Sequence, residues 1–172
     1  MLIRARRDAD VPAAVALMRR THEQDGYPRY WRARPERFLV ARHETAAWVA
    51  EHEGRLVGHV ALHDAAGDPT LGAAQRRTGL PAERLAVVAR LLVSPDARRL
   101  GVGRALLDAA THHAHAQGRR PVLDVIQADR GPVSLYERAG WERLEPLTLP
   151  IEDHPPLLLW VYLGPPAPAL AP

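Results

Sequence analysis

The chain has 172 residues, enough for one well-buried core and too few for two comfortable domains, so a single domain is expected. It has no cysteine, which excludes a disulfide framework, a thiolate zinc site and a thiol nucleophile; all 23 basic residues are arginine, which excludes a lysine-bearing P-loop and a Schiff-base lysine. The net charge of +3 is concentrated in Arg19 to Arg42, where seven arginines outnumber three carboxylates, and without a basic stripe interleaved with aromatics nucleic-acid binding is not favoured.

Leu2 to Arg6 alternates apolar and basic residues like a short strand, and Asp8 or Asp10 is placed to cap a helix with apolar positions Val11, Ala14, Val15, Leu17 and Met18. Tyr27 to Trp31 is aromatic and irregular and leads through Pro35 into a short helix near Phe38 and Leu39. Ala47 to Glu51 and Leu56 to Leu62 form a hairpin about Glu53-Gly54. Gln75 to Gly79 reads as a helical piece. Leu85 to Val93 is nearly continuous apolar sequence, suited to a central strand buried on both faces.

Gly103 to Gln117 carries Leu106, Ala109, Ala110 and His113 at helical spacing before Gly118, and Val122 to Ile126 is the next strand. Pro132 opens a helix over Val133 to Ala139, Gly140 stops it, and Leu157 to Leu163 is the final strand. One domain over residues 1–163 is expected, with a proline-rich, disordered tail over 164–172. The order is α/β with a mixed central sheet flanked by helices, its two central strands parallel across the intervening helix. Charges at Arg4, Arg6, Arg7 and Asp8 fall where a signal peptide needs its apolar core, and no run approaches membrane-spanning length, so a soluble, cytoplasmic protein is expected.

The informative stretch is Val93 to Arg104, a buried strand that turns through a short loop into a helix. A helix start exposes free N–H groups and a partial positive charge suited to phosphate, and glycine at 101 and 103 removes the β-carbons that would hold an anion away. Arg99 and Arg104, with Arg98, add charge at the rim. A tight turn packing a helix close to a strand would explain the glycines but not the arginines. A dinucleotide-binding loop competes, since Asp124 follows about 20 residues on. Against it, the third glycine position is Leu106, and Gly101 lies too far beyond the strand end at Val93.

Arg98-x-x-Gly101-x-Gly103 between an apolar strand and a helix resembles the acetyl-CoA signature of the GNAT superfamily. Leu135-Tyr136-Glu137-Arg138-Ala139-Gly140-Trp141 resembles that family's Leu-Tyr-x-x-x-Gly-Phe segment, with Trp in place of Phe, and the Trp48 to Leu62 hairpin is similar to its second and third strands. The resemblance implies a GNAT-like fold and an acetyl-CoA-dependent N-acetyltransferase with acetyl-CoA as cosubstrate. The backbone of Leu91, Leu92 and Val93 would bond the pantetheine arm, and the amides of Arg99, Leu100, Gly101, Val102, Gly103 and Arg104 would hold the pyrophosphate. Tyr136 would protonate the departing thiolate. Asp129 stands where relatives often place an asparagine near the cofactor, and its carboxylate would repel phosphate unless Arg130 screens it.

An acceptor amine must lose a proton before it attacks the thioester. Asp124 matches a position where some relatives carry a catalytic carboxylate, and a strand aspartate satisfied by a neighbouring arginine is an equal reading; Glu51 and Glu23 are weaker candidates. Ser94 and Ser134 are the only serines and neither lies in a nucleophile elbow, so direct transfer in a ternary complex is expected instead of an acyl-enzyme. His112, His113 and His115 cannot easily share one ion on a helix, and no metal is expected. The acceptor, a small-molecule amine or a protein N-terminus or side chain, is expected near Tyr27, Tyr30 and Trp31, with Arg90 reaching an acceptor carboxylate. The arginines there read equally as solvated surface. A monomer or homodimer is expected, and a non-catalytic acyl-CoA-binding sensor or interaction module on the same fold is the alternative.

Overall fold

The computed structural model describes residues 1–168, so the end of the expected tail, 169–172, lies outside the described residues. The strands are β1 (Leu2–Ala5), β2 (Glu44–His52), β3 (Arg55–Asp64), β4 (Leu85–Val93), β5 (Arg120–Ile126), β6 (Glu142–Ile151) and β7 (His154–Leu163). The helices are α1 (Val11–Asp25), α2 (Pro35–Leu39), α3 (Leu71–Thr78), α4 (Val102–Ala116) and α5 (Arg130–Arg138). The strands form one mixed sheet in the order β1-β2-β3-β4-β5-β7-β6. Two compact units are distinguished, one of Met1–His63 with Val88–Ala110, the other of Asp64–Val87 with the described residues from Thr111 onward.

In the first unit β1, β2 and β3 pair antiparallel, with Ala5 opposite Trp48 and His52 opposite Arg55. Glu53 and Gly54 both have positive φ, as the expected two-residue turn requires. Helix α1 buries Ala14, Leu17, Met18 and Thr21, a spacing of three and four that aligns them on one face, against Leu39 and Leu92. The expected side-chain cap of α1 is not made, because Asp10 is otherwise engaged. Both of its oxygens accept from the Arg4 guanidinium at 2.7 and 2.8 Å, and it also accepts from the Arg7 N–H. The Arg4 fork holds the Asp10 carboxyl well below the usual carboxylate range.

Gly58 sets how closely β3 approaches the start of α4. A β-carbon there would lie 2.7 Å from Leu106 Cδ1 and 2.8 Å from Val102 Cγ1. The same strand buries two histidines on one face, His59 and His63. The Arg6 guanidinium can only donate, so His59 Nε2, at 3.1 Å, accepts; Nδ1 therefore carries the proton and donates to the Arg90 carbonyl at 3.0 Å. Burial lowers the His59 pKa to about 4, opposed by the hydrogen bond to the Arg90 carbonyl and helped by the Arg6 and Arg90 charges; burial lowers the His63 pKa to about 3, helped by the charges of Arg90, His43, His59 and Arg6.

In the second unit Leu85–Val87 pairs in parallel with Arg120–Val122, as expected, and β5 and β6 each pair antiparallel with β7. Strand β6 was not expected. Its Pro146 and Pro150 argue against a central strand, but β6 lies at the sheet edge and both prolines are exposed. Helix α3 is tied to β6 by ion pairs from Arg76 to Glu145 and Arg77 to Glu142. Beyond β7, the Gly164 N–H donates to Pro121 at 2.8 Å and the Gly164 carbonyl accepts from Arg120 Nε at 3.0 Å. His112 is exposed, and His115 is half-buried with Nε2 3.0 Å from the Pro165 carbonyl.

Two predictions follow from this packing. Gly58→Val drives a branched side chain into Leu106 and Val102 and is expected to lower the unfolding free energy by roughly 1–3 kcal/mol in urea titrations. His59 and His63 are neutral in the fold and charge near pH 6.5 once unfolded, so the unfolded state binds more protons between pH 6.5 and about 4. Stability is therefore expected to fall as pH drops through that window, by up to about 3 kcal/mol for each histidine. His63→Leu flattens the slope, and an unchanged slope in denaturation at a series of pH values contradicts this origin.

Candidate active site

Arg90 breaks the regularity of β4. Its φ is 56°, a left-handed conformation that a non-glycine residue adopts at a cost of roughly 1–3 kcal/mol. The carbonyl turned aside there is the one taken by buried His59. The Arg90 side chain donates from Nε to the Phe38 carbonyl at 2.9 Å, and its guanidinium carbon lies 3.6 Å from the Phe38 ring centre. Together these contacts determine where the charge of Arg90 is presented.

Beyond Arg90 the strand recovers. Leu91 and Val93 are half-buried and Leu92 is buried in the α1 core. The Ser94 N–H then donates to the Val57 carbonyl at 2.8 Å, and Pro95–Ala97 makes a single 3-10 turn. Arg99 (φ 63°) and Gly101 (φ 79°) are both left-handed, so the chain winds tightly into α4. The Ala105 N–H reaches the Gly101 carbonyl at 3.0 Å, which leaves the amides of Val102, Gly103 and Arg104 ahead of the first intrahelical bond.

A β-carbon on Gly101 would meet no atom within 4 Å. The glycine is therefore demanded by backbone conformation beside open space, and the close approach of α4 to the sheet is made at Gly58 instead. Open space, orphan amides and the positive end of a 15-residue helix suit a diphosphate. The arginines divide their work. Arg98 is ion-paired with Asp25 at the end of α1, Arg104 reaches Asp108 one turn along α4 at 2.8 Å, and Arg99 is exposed on the loop.

The second unit carries the other candidates. Asp124 is on β5 opposite Val161 with its side chain exposed. Asp129 precedes α5, where its N–H donates to Ile126 at 3.0 Å and its carbonyl receives the Val133 N–H at 3.1 Å. Tyr136 on α5 is 6% exposed, its ring 6.1 Å from Trp141 and 5.9 Å from Tyr162. Tyr162 in turn donates its hydroxyl to Glu137 at 3.0 Å. Trp141 thus occupies a packed aromatic position beside Tyr136.

The two weaker carboxylates differ in their engagement. Glu51 is held by Arg4, while Glu23 is exposed on α1. Tyr27 and Trp31 pack on the α1 core, where Arg19 stacks over Trp31 at 4.8 Å; Tyr30 is half-buried. Arg90 meets different neighbours. It lines a cavity of about 590 Å³ with Phe38, His43 and Arg32, Arg34, Arg37 and Arg42, and Tyr27, Tyr30 and Trp31 do not line it. The arginine surplus signalled this segment in the sequence, but nothing there signalled its meeting with Arg90. Among the described residues no cluster of three or more His, Cys, Asp or Glu could hold a metal ion, and no helix is long and apolar enough to cross a membrane.

The model of the acetyltransferase (GNAT) family matches residues 12–141. An uncharacterized N-acetyltransferase of Methanocaldococcus jannaschii is 30% identical over 63% of this chain, and the mycothiol acetyltransferase of Geodermatophilus obscurus is 33% identical over 66%. The matches span 44% and 40% of those proteins, less than half of each. In fold, the ribosomal-protein-S18-alanine N-acetyltransferase of Escherichia coli superposes with a TM-score of 0.69 over 98% of this chain and 95% of its own, at 18% identity. Arabidopsis thaliana NAA60, solved in complex with acetyl-CoA, gives 0.70 over 94% and 96%, at 16% identity. A signature loop, an aromatic α5 segment and a family match covering both make the conclusion plain: the chain belongs to the GNAT acetyltransferase family.

Proposed function

We propose that this protein transfers the acetyl group of acetyl-CoA to a primary amine of a small molecule, by direct attack in a ternary complex in the cytoplasm. The observation that carries the reading is the start of α4, where orphan amides at Val102–Arg104 and the open left-handed turn at Gly101 fit a diphosphate, in a chain of this family. The amides from Arg99 to Arg104 hold the pyrophosphate, with Arg99 supplying charge. The backbone at Leu91, Leu92 and Val93 bonds the pantetheine arm as an added strand would.

Acetyl-CoA brings a thioester, whose carbonyl carbon takes the amine nitrogen. Asp124 accepts the proton that the ammonium must lose before its lone pair is available. As the carbon–sulfur bond breaks, the Tyr136 hydroxyl gives its proton to the thiolate. The aromatic setting of Tyr136, between Trp141 and Tyr162, keeps that transfer out of bulk water. Arg130 offsets the Asp129 carboxylate beside the cofactor phosphates. No acyl-enzyme is required, because the chain offers no cysteine and neither serine has a nucleophile's setting.

Release of free coenzyme A from acetyl-CoA and a mixed amine library tests the activity. Cofactor binding without any release would instead support an acyl-CoA sensor. Tyr136→Phe is expected to slow turnover by about 10²-fold while leaving cofactor affinity nearly unchanged, and an unaltered rate removes Tyr136 from the mechanism. Gly101→Ala forces a side chain into the left-handed turn at a cost of about 1–2 kcal/mol. Calorimetric titration is expected to show weakened acetyl-CoA binding by about tenfold.

A further inference from the structure

We propose that the arginine-lined cavity of the first unit binds the dianionic phosphate group of a small ligand, and, resting on the acetyltransferase reading above, that this ligand is the acceptor amine. Four of the arginines, Arg32, Arg34, Arg37 and Arg42, come from one short segment around α2, and Arg90 joins them from β4. The lining contains no carboxylate, and the one acidic residue between positions 32 and 43, Glu36, is not part of it.

Among the described residues, seven of the 23 arginines are charge-compensated by ion pairs to carboxylates, and the five that line the cavity are among the sixteen outside those pairs. Arg4, Arg6, Arg76, Arg77, Arg98, Arg104 and Arg119 are each ion-paired with a carboxylate. Arg32, Arg34, Arg37 and Arg42 enter none of those pairs, and Arg90 spends its Nε on a neutral carbonyl. A simple solvated face would not need Arg90, which sits on a strand in a left-handed conformation, fixed by His59 behind it and Phe38 beside it. Like-charged guanidinium groups gathered around one cavity repel each other, and a bound anion relieves that repulsion.

The size of the charge favours phosphate. An amino acid's carboxylate supplies one negative charge, whereas a phosphate monoester carries about −1.5 to −2 at neutral pH and three oxygens that arginine forks engage bidentately. Arg90 and Arg32 both stack over the Phe38 ring, at 3.6 and 5.8 Å, and the open depression they line, about 590 Å³, has room for a molecule of metabolite size. His43 lines the cavity and meets His63 edge-on at 4.5 Å. The His63 Nε2, which does not itself line the cavity, is buried without a hydrogen-bond partner among the described residues.

The test uses the full chain with saturating coenzyme A, which removes the α4 loop as a competing anion site, and three probes: O-phosphoethanolamine, β-alanine and ethanolamine. Calorimetry is expected to show binding of O-phosphoethanolamine that weakens about tenfold or more in the Arg34→Gln/Arg42→Gln variant. Arg55→Gln, at an exposed position at the start of β3 outside the cavity, matches the single variants Arg34→Gln and Arg42→Gln in net charge and leaves binding unchanged. In acetyl transfer, kcat/KM is expected to rank O-phosphoethanolamine above β-alanine and β-alanine above ethanolamine, with the double variant collapsing the first step. Absence of binding, or equal loss in Arg55→Gln, overturns the anion site. Binding with β-alanine acetylated as fast overturns its role in acceptor recognition, whereas binding with no transfer to any amine overturns the acetyltransferase reading and leaves the cavity assignment standing.

Discussion

A single hydrogen bond, from His59 Nδ1 to the carbonyl of Arg90, holds the backbone irregularity around which the first unit's part of β4 is built. A non-glycine residue in the left-handed region cannot keep its carbonyl in a strand's ladder, and a buried carbonyl left unpaired costs more than the bond would have gained. His59 resolves this with a proton on Nδ1, and Arg6, donating to Nε2, keeps the ring in that neutral tautomer. Arg6 is itself held by Glu44. A chain of four residues, Arg6 just beyond β1 with Glu44 of β2, His59 of β3 and Arg90 of β4, thus fixes one backbone kink.

The kink has two structural consequences. It presents the Arg90 guanidinium to Phe38 and the α2 segment, where it meets the arginines of the cavity. It is also followed by a strand end that regains buried packing at Leu92 and passes, through Ser94 bonded to Val57, into the loop before α4. That loop and the cavity are both electropositive but by different means. The loop uses backbone amides and a helix end, suited to a diphosphate held close, while the cavity uses side-chain forks, suited to a more exposed anion.

Regular elements were legible because their signals are local. The apolar run Leu85–Val93 and the Glu53-Gly54 turn carry their own geometry, and the positions of the glycine loop and Tyr136 follow from spacing along one chain. Strand β6 was not legible. Its alternation is interrupted by Pro146 and Pro150, which matter only if the strand lies inside a sheet, and the sheet position is set by pairing with β7. Asp10 looked like a helix cap because capping residues are recognised by sequence position, whereas Arg4 claims it across a turn.

The order of elements, the buried central strand, the absence of thiol and lysine chemistry, and the glycine–arginine loop ahead of α4 were determined by sequence alone, since each rests on residue type and on neighbours within a few positions. Tertiary structure decided what long-range contact creates. It turned two apparently unremarkable strand histidines into one buried support for Arg90 and one unsatisfied ring beside His43, and it brought Arg90 to arginines some fifty positions earlier in the chain. The physical reason is that burial and charge compensation belong to a surrounding, and a residue's surrounding exists only once distant segments have packed.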